Sequence, residues 1–435
     1  MHNRVANWPE RTLGELLDIA RQTVTPGACP AEQFVHYSIP AWDETRGPAL
    51  EIGASIGSAK ICIKQPTILV SKLNPRIPRV VLVESPIGQQ HCASTEFIPY
   101  VAKADSVSLR FYKWFLQSPM FQRRLERIAT GSTNSHTRAH PAETLQWNVP
   151  SPAPEEQRRI VAVLDTVDEA ITKTEAMIVK LQQMRTGLLH DLLTRGINEH
   201  GQPRDPVAHP EQFHGSPLGR IPREWTVLTI EALLARVPNA LRSGPFGSAL
   251  LKQELKESGI PLLGIDNVHV ERFVANYTRF VDDDKFVELR RYAVRAGDVM
   301  ITIMGTVGRC CVVPDSIGIA LSSKHVWTIT LDRSRYSPHV ACWQMNFAPW
   351  VLRQFKRDEQ GGVMTAIRSE TLRQLLLPVP PLPEMQAIET ILLQFNKRIG
   401  EEEALLAKLA ALKSGLMSDL LTGRVRVPEE FAVAP

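Results

Sequence analysis

The chain has 435 residues, of which 43% are hydrophobic and 22% are charged; this is ordinary for a globular protein of two or three domains and excludes disorder over most of the length. The net charge of +4 allows binding to nucleic acid without requiring it, because the clustering of charge matters more than its sum. No apolar run approaches the length of a membrane span, and the first ten residues lack the apolar core of a signal peptide. We therefore expect a cytoplasmic protein that does not enter a membrane.

Residues 1–150 contain short apolar runs that are typical of strands. Ile68–Val70 and Val80–Val83 are examples, and turn residues such as Asn74 and Pro75 separate them. A helical pattern follows around residues 109–128. The sequence therefore predicts a first mixed α/β domain over residues 1–150.

Residues 151–199 predict one long helix. Pro154 and the acidic residues after it suit the first turn of a helix, and apolar residues then recur in alternating steps of four and three, which is typical of a coiled-coil seam. These seam residues are Ile160, Leu164, Val167, Ile171, Ile178, Leu181, Leu188 and Leu192.

Residues 200–216 are rich in proline and glycine and predict an exposed linker. Residues 217–380 then repeat the pattern of the first domain. Strands are predicted at 297–305 and 326–331, and a helical stretch is predicted around 339–356. This region is predicted to be a second mixed α/β domain.

Residues 381–427 predict a second long helix, followed by a short tail at 428–435. The helix repeats the first one at a constant offset of 228 residues (388 minus 160), once a gap of one residue is allowed near its start. Its seam residues are Ile388, Leu392, Phe395, Ile399, Leu406, Leu409, Leu416 and Leu420. The chain is therefore predicted to be a duplicated module with pseudo-twofold character.

Connectivity predicts that the two long helices pack antiparallel, because the second helix then returns the chain toward the first domain. The polar breaks in the seams suggest a register in which Arg185 faces Glu402 and Thr174 faces Lys413. A parallel pair would instead place Arg185 against Lys413, which is a like-charge contact.

Polar loops near the ends of both α/β regions are the candidates for contact with DNA. Short hydroxyls, amides and basic side chains of this kind bind phosphates and base edges, although the same residues also serve as turn residues or as ion-pair partners inside a domain. The candidates are Lys72, Ser132, Thr133, Asn134, His136, Arg138, Arg242, Ser248, Ser323, Lys324, His325, Thr365 and Arg368.

Catalytic signatures are missing from the sequence. It has no phosphate-binding G-x-x-x-x-G-K-[ST] loop, no H-E-x-x-H helix, no G-x-S-x-G turn and no C-x-x-C pair, so we expect neither a catalytic residue nor a metal site. The acidic run Asp282–Asp284 leaves a nuclease as an alternative, although such a run is more often a solvated turn.

The chain resembles the specificity subunits of type I restriction–modification systems over nearly its whole length. The matching features are Pro154-Glu155-Glu156-Gln157 and Pro383-Glu384-Met385-Gln386, each opening a helix that closes in Leu-Leu-Thr. The segment 218–225, ending in Trp225, resembles the opening of the family's second recognition domain, and only Trp8-Pro9 remains of the corresponding opening of the first.

The resemblance implies a non-catalytic protein with two target-recognition domains on an antiparallel coiled coil. Each domain would read one half of a split, asymmetric site in double-stranded DNA. The implied partners are two modification (methyltransferase) subunits and motor–nuclease restriction subunits, which would carry S-adenosylmethionine, ATP and Mg²⁺, while this chain would carry no cofactor. The alternative is a coiled-coil scaffold of another assembly that does not bind DNA.

Overall fold

The computed structural model describes residues 8–86, 88–131, 137–359 and 367–431. The chain divides into a first unit, Met1–Met177 with Glu402–Pro435, and a second unit, Ile178–Glu401. Both units are mixed α/β structures that contain part of each long helix, so the predicted fold class is confirmed. Among the described residues, no helix is long and apolar enough to cross a membrane.

The first unit runs through strands and short helices into the first long helix, and it also contains the end of the second long helix. Its strands are β1 (Glu10–Thr12), β2 (Leu17–Ile19), β3 (Thr23–Val24), β4 (Gln33–Tyr37), β5 (Ala49–Ile52), β6 (Lys60–Ile63), β7 (Thr67–Ser71), β8 (Val80–Val83), β9 (Gln90–Ala93), β10 (Phe97–Ala102) and β11 (Asn148–Pro150). Its helices are α1 (Leu13–Leu16), α2 (Ile39–Thr45), α3 (Leu109–Gln117), α4 (Pro119–Arg127), α5 (Pro141–Thr144) and α6 (Pro154–Thr194), the last of which continues into the second unit.

Two sheets organise the first unit. One is antiparallel with the order β2-β10-β7-β8, and the other has the order β3-β6-β9-β4-β5 with a parallel β4–β9 pair. The predicted strands at Ile68–Val70 and Val80–Val83 are confirmed as the neighbours β7 and β8. The core packs β7 and β10 against α3 and the start of α6, through Ile68, Tyr100, Trp114 and Leu164.

The second unit lies between the two long helices in the chain. Its strands are β12 (Phe213–Ser216), β13 (Gly219–Pro222), β14 (Thr226–Thr229), β15 (Leu241–Ser243), β16 (Ile260–Leu263), β17 (Phe280–Val281), β18 (Ala293–Val294), β19 (Val299–Thr302), β20 (Cys310–Val312), β21 (Ala320–Ser322), β22 (Val326–Ile329) and β23 (Leu376–Val379). Its helices are α7 (Ile230–Leu233), α8 (Asp283–Leu289), α9 (Pro338–Phe347), α10 (Pro349–Glu359), α11 (Ser369–Gln374) and α12 (Leu382–Leu420), the last of which ends in the first unit.

The second unit repeats the strand order of the first, except that among the described residues its second sheet has no counterpart of β3. Its antiparallel sheet runs β15-β22-β19-β20, and its other sheet runs β17-β16-β21-β18 with a parallel β16–β21 pair. The predicted strands at 297–305 and 326–331 are confirmed as β19 and β22, which pair with each other. The matching strand orders are the structural form of the duplication that the sequence predicted.

Each predicted helical stretch before a long helix is divided in two by a proline. Ser118 ends α3, and Pro119 begins α4; similarly, Ala348 ends α9, and Pro349 begins α10. A proline fits the first turn of a helix but not its interior, because its nitrogen cannot donate the hydrogen bond. The Ser118 side chain also accepts from the Phe121 N–H and caps α4.

The long helices run antiparallel within each unit. In the first unit, Glu156 near the start of α6 contacts Arg426 just beyond α12, and Asp168 further along α6 contacts Lys413 within α12. In the second unit, Arg185 contacts Asn396, and the backbone of Ile197 contacts Glu384 near the start of α12. Residue numbers therefore rise along one helix as they fall along the other, as predicted.

The predicted register of the helices was wrong. Arg185 bonds Asn396 rather than facing Glu402, and it also forms an ion pair with Glu271 of the second unit. Lys413 pairs with Asp168 rather than facing Thr174. The basic side chains find acidic or amide partners beside the seam, which the seam positions alone could not reveal.

Every apolar residue predicted for the seams is buried or partly buried. Thr174 and Glu402, two of the polar seam positions, are buried as well. The alternating steps of four and three therefore mark the faces of α6 and α12 that are withdrawn from water.

A buried carboxylate joins the ends of the long helices in the second unit. Glu384 accepts hydrogen bonds from Arg204 (Nη1–Oε1, 2.5 Å), the Trp225 indole (3.1 Å) and the Ile197 backbone N–H (2.8 Å). Gly196 precedes this contact with φ +63°, and a Cβ there would lie 2.1 Å from the Glu384 carboxylate. We call these residues the Glu384 cluster; Arg204 is buried within it, inside the segment predicted to be an exposed linker.

The first unit contains a matching Glu156 cluster. Glu156 accepts from the Trp8 indole (3.0 Å) and from the Arg426 guanidinium (2.7 and 2.8 Å). Glu156 and Glu384 are related by the helix offset of 228, so the gap introduced to align the two Pro-Glu motifs is unnecessary. Trp8 and Trp225 are thus equivalent, although little of the surrounding opening segment is shared.

We predict that Glu384→Ala destabilises the second unit by about 3–5 kcal/mol, because Arg204 then keeps a buried charge whose only acidic partner among the described residues is the exposed Glu224. Hydrogen exchange should accelerate at residues 189–197, while residues 154–177 should change little. The control is Glu169→Ala, which removes an exposed ion pair to Lys173 within α6 and should cost less than about 0.5 kcal/mol. Equal effects from both changes would contradict a structural role for the cluster.

The observed register predicts energetic coupling between Lys413 and Asp168. A double-mutant cycle with Lys413→Met and Asp168→Asn should give a coupling energy of about 1 kcal/mol, because the pair is partly buried. The position equivalent to Asp168 in the second helix is Asn396, which bonds Arg185. The fold should therefore tolerate an asparagine at position 168. A parallel cycle with Lys413→Met and Thr174→Ala should show no coupling, and coupling there instead would restore the register predicted from sequence.

Candidate nucleic-acid interface

Two of the predicted polar segments meet in the second unit. The loop after β15 contacts the turn between β21 and β22, where the Gly244 N–H donates to the Ser323 carbonyl (3.1 Å). A Cβ at Gly244 would lie 2.0 Å from the Ser322 carbonyl oxygen, so only glycine allows this approach. The structure thus brings the segments of Ser248 and Ser323 to one place.

These segments line an open cavity of about 220 Å³ in the second unit, together with Lys252 and Arg279. Lys324 is exposed at its edge, and Arg279 is partly exposed while paired with Asp266. Ser323 is only 5% exposed, and its hydroxyl has no hydrogen-bond partner among the described residues. The cavity is therefore lined by positive charge and by a serine whose buried hydroxyl has no partner in the described structure.

His325 lies in the same cationic surroundings. Burial lowers the pKa of its imidazole below the ordinary value, and the neighbouring charges of Lys324 and Arg279 lower that pKa further. The ring is therefore mainly neutral at pH 7, and an anion placed in the cavity would favour its protonated form.

Arg242 is buried and does not reach this cavity surface. Its guanidinium forms an ion pair with Asp298 and donates to the carbonyls of Ala293 (2.8 Å) and Asn239 (3.1 Å). The pKa of Arg242 is lowered from its ordinary value, chiefly by burial, and the charge of Asp298 opposes this change. These contacts match the alternative role of an ion-pair partner inside the domain, and we leave Arg242 out of the candidate interface.

Lys72 and Arg138 lie side by side in the first unit. The Ala139 N–H donates to the Lys72 carbonyl (3.0 Å), and Arg138 forms a two-point ion pair with Glu96 (Nη2–Oε1, 2.9 Å; Nε–Oε2, 2.9 Å). Glu96 raises the pKa of Arg138. The Arg138 side chain is still 42% exposed beside this ion pair.

The remaining predicted DNA contacts are exposed residues or lie outside the described residues. Arg368 is exposed at the N-terminal end of α11, and Ser248 is exposed in the loop after β15. Several candidates lie outside the described residues: Ser132, Thr133, Asn134, His136 and Thr365.

The structure adds residues that the sequence did not single out. Arg279 and Glu96 lie on or next to strands with no motif of their own, and only the pairing of distant strands brings them beside Lys324 and Arg138. Asp282, in contrast, caps α8 by accepting from the Lys285 N–H (2.9 Å). This helix cap accounts for the acidic run without a nuclease site.

No family model matches the chain, but curated relatives and solved structures do. The chain is 22% identical over 283 residues to the Type I restriction enzyme MjaVIII specificity subunit of Methanocaldococcus jannaschii, covering 64% of this chain and 62% of the relative. It is 22% identical over 266 residues to the Type I restriction enzyme EcoBI specificity subunit of Escherichia coli, covering 59% and 53%. The chain thus aligns with less than two thirds of either relative.

Two solved structures share the fold over almost all of their length. A chain from a structure of a type I R-M system matches with a TM-score of 0.56 at 18% identity, covering 97% of this chain and 100% of that one. The S subunit of the type I restriction–modification system from M. genitalium matches with a TM-score of 0.57 at 14% identity, covering 97% of both chains. At these identities the likeness shows the fold alone.

We predict that Lys324→Met raises the pKa of His325 toward its ordinary value, because one of the two neighbouring cations is removed. Burial, the largest cause of the shift, remains, so the return should be incomplete. Histidine-ring NMR across a pH series measures the titration directly. The control is Lys252→Met, which changes a lysine of the same cavity and should have a smaller effect; an unmoved titration in Lys324→Met would refute the predicted charge interaction.

Proposed function

The chain is a relative of the type I restriction–modification specificity subunits, and we propose that it is the DNA-recognition subunit of such a system, acting on a bipartite and asymmetric DNA site. The observation that carries this proposal is the duplication. Both units share the strand order of their sheets apart from β3, and both have an antiparallel helix pair and a carboxylate cluster, while the polar turns of the two units differ. The similarity to the specificity subunits supports the interpretation of the two units as two DNA-recognition domains.

Two units with the same fold and different surface chemistry suit an asymmetric target. The first unit presents Arg138 paired with Glu96, whereas the second presents Lys324 and His325 beside Arg279. Sequence is read by side chains that reach base edges, and the contacts to phosphates fix position. Different side chains in equivalent places therefore predict different half-sites.

We propose that the long helices set the distance between the half-sites and provide docking surfaces for two modification subunits. The helix α6 has 41 residues, which corresponds to about 60 Å. Half-site spacing on DNA follows from the distance and helical phase between two readers. The gap in the DNA site is then a property of the helices rather than of the recognition domains.

We propose that the partner subunits, and not this chain, catalyse methyl transfer and DNA cleavage. The sequence lacks the phosphate-binding loop and the other catalytic motifs sought above, so we propose that methyltransferase subunits hold S-adenosylmethionine and that motor–nuclease subunits use ATP and Mg²⁺. This chain then contributes recognition and assembly and is not itself an enzyme. The coiled-coil scaffold that does not bind DNA becomes an outcome of the test below.

We predict that exchanging residues 1–150 for the corresponding domain of another specificity subunit changes only one half of the methylated sequence. The chain would be produced with the modification subunit of its own system, and modified adenines would be mapped across the host genome. The physical reason is that each unit has its own core and its own polar turns.

The controls for this exchange separate the alternatives. The purified chain alone should transfer no methyl group and should cut no DNA with Mg²⁺. If both half-sites changed, or neither did, the modular proposal would be wrong. Methylation that does not depend on this chain would favour the scaffold, and cleavage by the chain alone would favour the nuclease.

A further inference from the structure

Two turns occupy equivalent positions in the two units. In the first unit, residues 94–96 lead into β10; in the second, residues 323–325 lead into β22. The same three backbone bonds define both turns: Ser94 N to the Tyr37 carbonyl (2.9 Å) matches Ser323 N to the Leu263 carbonyl (2.8 Å). The other matching bonds are Phe97 N to the Ser94 carbonyl with Val326 N to the Ser323 carbonyl, and Lys72 N to the Glu96 carbonyl with Ile303 N to the His325 carbonyl.

The serine of each turn has a different environment. In the first unit, the Ser94 hydroxyl accepts a hydrogen bond from the Glu96 N–H (3.3 Å), which closes the turn on itself. In the second unit, the Ser323 hydroxyl is buried and has no partner within the described structure. A buried hydroxyl without a partner costs free energy, so a ligand that accepts its hydrogen bond would remove that cost.

The charges at the two turns are opposite. Glu96 is the third residue of the first turn, and its carboxylate forms an ion pair with Arg138. The second turn has Lys324 and His325 in the last two positions, and Arg279 lies on the same cavity. Within the described structure, the only acidic residue that pairs with Arg279 is Asp266, whose side chain is 43% exposed.

We propose that Ser323, Lys324, His325 and Arg279 form a phosphate-binding subsite in the second unit, which holds one backbone phosphate of the bound DNA. The proposal rests on the proposed function for the identity of the ligand as DNA. The cavity has room for a phosphate group, and Ser323 and cationic side chains line it; hydroxyls and cations are the groups that hold phosphate oxygens in proteins. The equivalent turn of the first unit is not such a subsite, because it carries the acidic Glu96, which is paired with Arg138.

The first arm of the test measures DNA binding as a function of salt. The complex of the full chain with its modification subunit is compared with the same complex carrying Lys324→Ala. Loss of one phosphate contact should weaken binding to all sequences alike and reduce the slope of log K against log salt by about one. Ser323→Ala should weaken binding with little change in slope, because a neutral donor releases no counterion.

Matched controls come from the equivalent turn and from an exposed helix. Ser94→Ala removes the corresponding hydroxyl of the first unit, and Lys408→Ala removes an exposed lysine of α12; both should leave affinity and slope unchanged. An unchanged slope in Lys324→Ala, while the wild-type complex binds DNA, would overturn the subsite and leave the proposed function standing. A loss confined to one base pair would also overturn it, because that pattern indicates base reading.

The second arm does not depend on DNA. Inorganic phosphate is titrated into the full chain while the ring signals of His325 are followed by NMR. The wild-type chain should show a saturable shift that Ser323→Ala weakens and Ser94→Ala does not. If the complex failed to bind DNA, the proposed function would fail, and this titration would then decide the subsite alone: a shift sensitive to Ser323→Ala supports it, and no shift overturns it.

Discussion

A buried carboxylate near the start of each long helix is the constraint on which the two units depend. The Glu384 carboxylate accepts hydrogen bonds from the Ile197 N–H and the Arg204 side chain, which follow the end of α6. It also accepts one from the Trp225 indole, which directly precedes β14. A buried charge is tolerated only when it is fully paired and hydrogen-bonded, so the carboxylate requires the helix end, the linker and the opening strand to arrive together. Glu156 imposes the same requirement on the first unit.

The duplication keeps this framework and changes the partners around it. Lys413 and Asp168 form an ion pair in the first unit, while the equivalent positions hold Arg185 and Asn396 in the second. The neutral amide cannot balance the arginine, and Glu271 of the second unit supplies the missing negative charge. This ion pair ties the second recognition region to its helix pair, and in the first unit the ion pair between Arg110 of α3 and Asp165 of α6 makes a comparable connection.

The same rule applies to the polar turns. Their backbone bonds are identical in pattern, so the fold presents side chains at the same places in both units. In one turn the acid is paired with Arg138; in the other, Lys324 and His325 line a cavity and the Ser323 hydroxyl is buried without a partner in the described structure. Because equivalent positions carry different side chains in the two units, the same fold can recognise two different halves of an asymmetric DNA site.

The sequence by itself determined the repeat, the long helices, their apolar faces and the strands at Ile68–Val70 and Val326–Ile329, because periodicity and β-branched runs are local signals. It also pointed to the Ser323 turn. Only the tertiary structure decided the helix register, the burial of Arg204 and Arg242, and the presence of Arg279 and Glu96 beside the predicted residues. Those features depend on contacts between residues far apart in the chain, and the spacing of residue types along a sequence carries no information about which distant charge will be the partner.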